Sequence, residues 1–234
     1  MSISSPLILG HRGASSDLPG NSVRAFLAAV EAGADGVELD VRRLADGGLA
    51  CSHDERLVDG RALLELTADD LPPDVPLLTE ALDACRPLSL VNVELKNLPG
   101  EGDFDDTEQL AEAVVDLLAQ RGELDDGRIL LSSFHRRSVD RVRELAPTAA
   151  TGWVLYDARD FAPLIERTVA GGHQAIHPHH AFVNAELVDA AHAAGLTVTT
   201  WTCDDPDRLR WLAEVGVDGI ICNDPAAGLR ALGR

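Results

Sequence analysis

Residues 22–41 read SVRAFLAAVEAGADGVELDV, and the order of patterns in this stretch decides the fold. Ser22–Ala32 carries apolar residues at helical spacing, Gly33 follows as a helix stop, and Gly36–Val41 is a short β-rich run. The unit repeats in both directions. Further strands are expected at Leu7–Gly10, Leu90–Leu95, Arg128–Ser133, Thr151–Leu155, Gln174–His177, Leu196–Trp201 and Val217–Cys222. Helices are expected at Thr79–Ala84, Thr107–Arg121, Arg137–Leu145, Phe161–Ala170, Glu186–Ala194, Pro206–Val215 and Ala226–Leu232. Asn184 and Asp205-Pro206 open two of them, while Gly122, Gly195 and Gly216 close three. Strict strand–helix alternation predicts an α/β fold, a TIM (β/α)8 barrel over residues 1–234 as a single domain. A doubly wound open sheet is the alternative, because alternation does not show closure. Most of the runs are continuously apolar, as expected of strands buried on both faces.

One segment breaks the rhythm. After Gly36–Val41 come Arg42-Arg43-Leu44-Ala45-Asp46-Gly47-Gly48 and then Leu49–His53. Asp-Gly between two strand-like runs signals a hairpin. A turn centred on Asp46-Gly47 would set His53 opposite Asp40. Residues 44–76 thus read as a small insertion after the second strand.

The chain has 234 residues and a net charge of -19, which excludes the basic stripe of a nucleic-acid binder and argues against anionic membranes. No run approaches the roughly 20 apolar residues of a membrane span. No basic n-region precedes the first apolar run, so a cytoplasmic protein without stable membrane insertion is expected. Cys51, Cys85, Cys203 and Cys222 are too scattered for a zinc site and are expected to be reduced and buried. Nothing in the sequence speaks to oligomeric state.

Four polar clusters sit at or beside the ends of strand-like runs: His11-Arg12-Gly13, Glu38-Leu39-Asp40, His53-Asp54 and Glu94-Leu95-Lys96. Active sites of such barrels lie at the C-terminal ends of the strands. Residues two apart in a strand point to one side, so Glu38 pairs with Asp40 and Glu94 with Lys96. Three crowded carboxylates repel one another, and a hard divalent cation, Mg²⁺ or Ca²⁺, resolves that. Lys96, the chain's only lysine against 19 arginines, and Arg12 supply positive charge for a phosphate. His11 and His53 can move the protons that phosphodiester cleavage requires. The attacking oxygen is either water or a hydroxyl of the substrate itself. His177-Pro178-His179-His180 reads as a rim cluster or as solvated histidines rather than a second metal site, the acidic run Gly100–Asp106 as a solvated loop or a lid, and His135, His173 and His192 as incidental.

Read in order, His11-Arg12-Gly13, Asn21-Ser22, Gly33–Val41, Asp46-Gly47, His53-Asp54, Glu94-Leu95-Lys96, Ser132-Ser133-Phe134, Trp201-Thr202 and Gly216–Ile221 resemble the glycerophosphodiester phosphodiesterase family along the whole chain. The resemblance implies a barrel with a small insertion after the second strand. It also implies metal-dependent hydrolysis of a small-molecule glycerophosphodiester to glycerol 3-phosphate and an alcohol. Position by position, it makes Glu38, Asp40 and Glu94 the metal ligands and His11 and His53 the acid/base pair. Arg12 and Lys96 become phosphate-binding residues, and Trp201 an aromatic near the glycerol end. A phospholipase D-like enzyme on the same barrel and a catalytically degenerate binding protein are the alternatives. There are departures. Pro-Glu-Asn-Thr becomes Pro19-Gly20-Asn21-Ser22, a Thr becomes Leu44, an aliphatic residue becomes Cys203, and Thr-Asp-x-Pro becomes Cys222-Asn223-Asp224-Pro225.

Overall fold

The computed structural model describes residues 5–234. Eight parallel strands run β1 (Leu7–His11), β2 (Gly36–Arg43), β4 (Leu90–Leu95), β5 (Ile129–Ser133), β6 (Ala150–Leu155), β7 (Ala175–Pro178), β8 (Thr197–Thr200) and β9 (Gly219–Cys222). Each pairs with its neighbours, and β1 pairs with both β9 and β2, so the sheet closes into a TIM barrel rather than an open sheet. Eight helices form the outer ring. They are α1 (Val23–Glu31), α2 (Leu78–Ala84), α3 (Gln109–Arg121), α4 (Arg136–Leu145), α5 (Phe161–Ala170), α6 (Ala185–Ala193), α7 (Pro206–Glu214) and α8 (Pro225–Ala231). Side-chain caps define several starts: Ser22, Asn184, Asp205 and Asp224 accept backbone N–H groups of the first turns of α1, α6, α7 and α8.

The core lies between strands and helices. Val37, Leu39, Val41, Val91, Val93 and Leu95 face outward against α1–α4, and Ile8, Leu155, Ile176, Val198 and Ile220 face α5–α8. The alternate residues of the same strands point into the barrel, and there the expectation of apolar strands on both faces fails. Asn92, Ser132, Thr199 and His177 are buried inside among the aliphatic Leu9, Val154 and Ile221. Period-two alternation sends one strand's oily residues to the helices and its polar ones to the axis.

The insertion forms as expected, but its register differs. β3 (Leu49–Cys51) pairs antiparallel with β2 through Val41↔Cys51, Arg42↔Ala50 and Arg43↔Leu49. The loop has three residues, Ala45, Asp46 and Gly47, between Leu44 and Gly48. Gly48 accepts the Leu44 N–H and Gly47 sits at φ 83°. An αL glycine closing a type I turn gives this odd-numbered loop. The register is therefore one residue off the expected one, and His53 lies beyond the paired segment rather than opposite Asp40. Leu63 and Leu66, in and after a short 3₁₀ turn, pack with Leu44, Ala50 and Leu57 to seat the arm on the barrel.

Helix α3 starts at Gln109 instead of Thr107. Asp105 accepts the N–H groups of Thr107 and Gln109, and Glu108 adopts φ 63°, so the chain turns before the helix begins. No helix among the described residues is long and apolar enough to cross a membrane. All four cysteines are free and buried.

Candidate active site

The C-terminal mouth of the barrel opens into a cavity of about 520 Å³. His11, Arg12, Glu38, Asp40, His53, Glu94, Lys96 and Trp201 all line it, so every residue singled out from the sequence converges there. β2 and β4 pair with Asp40 opposite Glu94, which sets the carboxylates together. One oxygen each of Glu38, Asp40 and Glu94 lie within 4.8 Å of one another, all three buried. Among the described residues this is the cluster whose ligand atoms converge on one point, and it could hold a metal ion. The donors are all hard oxygens, which suits Mg²⁺ or Ca²⁺.

The electrostatics fit that use. Burial first, and then the charges of Asp40 and Glu94, hold the Glu38 carboxyl well above the usual carboxylate range. Burial and Asp40 push Glu94 up to about 7 against the pull of Lys96. Burial would raise Asp40 too, but Lys96 and Arg12 outweigh it and bring that group below its ordinary value. Lys96 Nζ donates to Glu94 Oε1 at 3.0 Å and lies 3.6 Å from Asp40 Oδ1. These carboxylates raise Lys96 despite its burial. Arg12 Nε is 3.0 Å from Asp40 Oδ2, in charge contact but out of line for a hydrogen bond. Its backbone N–H donates to the Glu38 carbonyl at 2.8 Å and to Glu38 Oε2 at 3.2 Å. To do so Arg12 takes φ 56°, an αL conformation that a non-glycine residue rarely holds.

His11 and His53 differ in setting. His11 ends β1, with Nδ1 2.7 Å from Asn223 Oδ1 and Nε2 3.9 Å from Glu38 Oε2. Burial, and then Arg12, lower its pKa. His53 sits on the insertion with its side chain 43% exposed and its Nδ1 2.7 Å from Asp54 Oδ1. It lines the same cavity as His11 and Asp40.

Asn21 and Arg42 have no role in the sequence reading, and the structure gives them one. Asn21, at φ 61°, donates from Nδ2 to Asp40 Oδ2 at 2.9 Å and accepts the Asp40 N–H at 3.1 Å, fixing that carboxylate twice. Its place in the Asn21-Ser22 pair was the available signal. Arg42 is 1% exposed and donates to the His53 carbonyl at 2.8 Å, to Asp103 and to Glu101. It pins the acidic run to the insertion, so that run is held rather than solvated. Trp201 donates its indole N–H to the His177 carbonyl at 2.7 Å and packs edge-on to Phe134.

The His177–His180 run divides. His177 is buried inside the barrel, and burial takes it down to about 4, so it is neutral at ordinary pH. Its ring occupies room that only a glycine leaves, since a Cβ on Gly152 would stand 2.8 Å from Nε2. His179 stacks at the rim near Trp201 and Tyr156. His135 Nδ1 stands 3.1 Å from Glu108 Oε1, His173 bonds Asp140 and Thr151, and His192 bonds Asp218, and none of the three lines the cavity. At Gly20 a Cβ would approach Arg12 Cβ to 3.0 Å, so the side chain expected there by resemblance would crowd Arg12.

Fully ionised, Glu38, Asp40 and Glu94 with Arg12 and Lys96 carry one net negative charge, Glu101 on the rim being paired with Arg42. A divalent cation turns it to one positive, and a phosphodiester monoanion brings it to zero. That balance, at the mouth of a closed parallel barrel, is one that suits a phosphodiester. A family model described as the glycerophosphoryl diester phosphodiesterase family matches residues 11–227. A glycerophosphodiester phosphodiesterase of Caldanaerobacter subterraneus is 30% identical over 244 residues, 94% of each chain. Another, from Bacillus altitudinis, is 30% identical and covers 93% of this chain and 94% of its own. The crystal structure of a glycerophosphodiester phosphodiesterase from Thermotoga maritima superposes with a TM-score of 0.81 at 25% identity, covering 98% of both chains. An Oleispira antarctica phosphodiesterase, solved with its product sn-glycerol-3-phosphate, shares the fold with a TM-score of 0.87 at 24% identity, again over 98% of both. This chain belongs to the glycerophosphoryl diester phosphodiesterase family.

Proposed function

We propose that the chain acts as one catalytic domain that hydrolyses glycerophosphodiesters to glycerol 3-phosphate and an alcohol, with Glu38, Asp40 and Glu94 holding one divalent cation, Mg²⁺ or Ca²⁺. The observation that carries this reading is the convergence of three buried carboxylates within 4.8 Å, flanked by Lys96, Arg12 and two histidines, in one cavity. Bound there, the cation supplies charge neutralisation for a phosphoryl oxygen. Arg12 and Lys96 orient the phosphate against that centre. Asn21 holds Asp40, and Asp40 in turn holds the two cationic side chains in place. His11 and His53, on different elements around the carboxylates, act as the acid/base pair: one takes the proton of the attacking oxygen and the other gives one to the leaving alkoxide. Trp201 and its aromatic neighbours shape the wall for an arm of the substrate. The product complex of the Oleispira antarctica phosphodiesterase supports a small-molecule substrate. Four free buried thiols suit a reducing compartment, so we place the reaction in the cytoplasm.

The test is release of glycerol 3-phosphate from glycerophosphocholine and glycerophosphoethanolamine by purified protein with Mg²⁺, with Ca²⁺ and with EDTA. Turnover is expected with a cation and lost with EDTA; equal turnover in EDTA would refute the metal role. Phosphorus NMR of the same reaction separates the two nucleophiles, because attack by a substrate hydroxyl passes through a cyclic phosphate and attack by water does not.

A further inference from the structure

Behind His11 runs a chain of hydrogen bonds that leads away from the cavity and ends on a carboxylate. His11 Nδ1 is 2.7 Å from Asn223 Oδ1. Asn223 Nδ2 contacts Asp204 Oδ2, and the Asn223 backbone N–H donates to Asp204 Oδ1 at 2.7 Å. The Asp224 N–H reaches the same oxygen at 3.4 Å. Ser15 adds a donor from the other side, its hydroxyl 3.2 Å from Asn223 Oδ1.

The chemistry of these groups fixes the direction of every bond. An ionised carboxylate only accepts, so the face of the Asn223 amide toward Asp204 must be its NH₂. The opposite face, toward His11 and Ser15, is then the carbonyl oxygen, which also only accepts. His11 Nδ1 must therefore carry a proton, and a neutral His11 presents a lone pair at Nε2, the nitrogen that faces Glu38 and the cavity. The direct partner of the imidazole is thus a neutral amide, and the negative charge stands one residue further back. Asn223 occupies the place where the Thr-Asp-x-Pro pattern carries a carboxylate. Its Oδ1 can serve His11 only because Asp204 turns the amide that way.

We propose that Asp204 and Asn223 are positioning residues for the hydrolysis, a two-residue relay that holds His11 in its Nδ1–H tautomer and aims Nε2 at the substrate. The relay follows the turn after β8, where Asp204 lies, to the end of β9, where Asn223 lies, so it ties the last two barrel strands to the first. It rests on the acid/base role given to His11 above.

The decisive experiment exchanges the two side chains. Asp204→Asn removes the charge and the reason for the amide's orientation. Asn223→Asp sets a second carboxylate against Asp204. Each single variant is expected to lower kcat by about tenfold or more with KM within about threefold, in the range of orienting partners behind a functional histidine. The double variant, Asp204→Asn with Asn223→Asp, restores one carboxylate, one amide and an acceptor on Nδ1, and is expected to recover kcat to within about threefold of the parent. Losses that multiply in the double variant, or an Asp204→Asn variant with parental kcat, overturn the proposal.

A second readout does not depend on turnover. With ¹⁵N-labelled histidine and EDTA, the His11 ring, assigned by its loss in His11→Ala, should show a protonated Nδ1 and a bare Nε2 in the parent. In Asn223→Ala it should relax toward the Nε2–H form. An Nε2–H parent ring, or no change in the variant, sinks the relay even if the enzyme is active. If His11→Ala were fully active, the acid/base role would fall while the tautomer measurement still judged the relay.

Discussion

The two sides of the barrel mouth are built from the same strand geometry and could hardly differ more in chemistry. β2 and β4 place Glu38, Asp40, Glu94 and Lys96 into the cavity, with Arg12 beside them after β1. Across the cavity, β6, β7, β9 and the end of β8 contribute Val154, His177, Ile221 and Trp201, none of them charged at neutral pH. The outward faces of both sets are aliphatic and interchangeable in character. The charged side can act on a phosphate, and the neutral side can hold an organic arm without competing for the cation. Concentrating charge on one side also means that each ionised group there has a partner, which is what makes its burial tolerable.

The comparison breaks most sharply through the histidine on the charged side. His11→Ala should lower kcat about 10³-fold, whereas Val154→Ala, across the cavity, should leave kcat within about threefold. Steady-state kinetics on glycerophosphocholine checks both. Next in size is Lys96→Met. Removing the ammonium leaves Asp40 and Glu94 facing each other, and the metal-free protein should lose about 3 kcal/mol. Thermal melting should show most of that loss restored by Mg²⁺ or Ca²⁺ if the carboxylates bind the cation.

The pH dependence has a definite sign. Glu94 is raised to about 7, so in the metal-free fold it favours the proton. Its contribution to stability is present below its ordinary value and is lost as pH rises through about 7. A cation takes the proton's place, so cation-induced stabilisation should be larger at pH 8 than at pH 6. Affinity should weaken by about tenfold per pH unit below the transition, a slope that calorimetry in two buffers can measure. The smallest effect belongs to the neutral side. Trp201→Leu should raise KM by about threefold to tenfold with kcat nearly unchanged, the loss of roughly 1 kcal/mol of aromatic packing. If it lowered kcat as His11→Ala does, the division of labour would be wrong.

The barrel was legible because each βα unit carries its own punctuation, and Gly33, Gly122, Gly195 and Gly216 mark helix ends locally. The charged side was legible for the same reason: Glu38 and Asp40, or Glu94 and Lys96, are two residues apart in one strand. What escaped was whatever depends on distant partners. Asn223 acts on His11 from 212 positions away, and Arg42 holds Asp103 from 61. The hairpin slipped by one because Gly47 closes a three-residue loop where Asp-Gly suggested two. The polar interior was hidden because His177 is the one polar side chain in its short strand and Asn92 stands among valines two residues before Glu94, and only closure reveals that alternate positions share an axis.

Lys96 has a use beyond its charge. As the chain's only lysine, its side chain carries the chain's only ε-amine, and its Nζ stands 5.8 Å from the Phe134 ring centroid at the join of the two sides. Biosynthetic incorporation of lysine labelled with ¹³C at Cε and ¹⁵N at Nζ would therefore place a single side-chain isotope label at the centre of this cavity. Ring-current and charge effects on that one resonance would report cation, substrate and product in turn, with no engineered reporter.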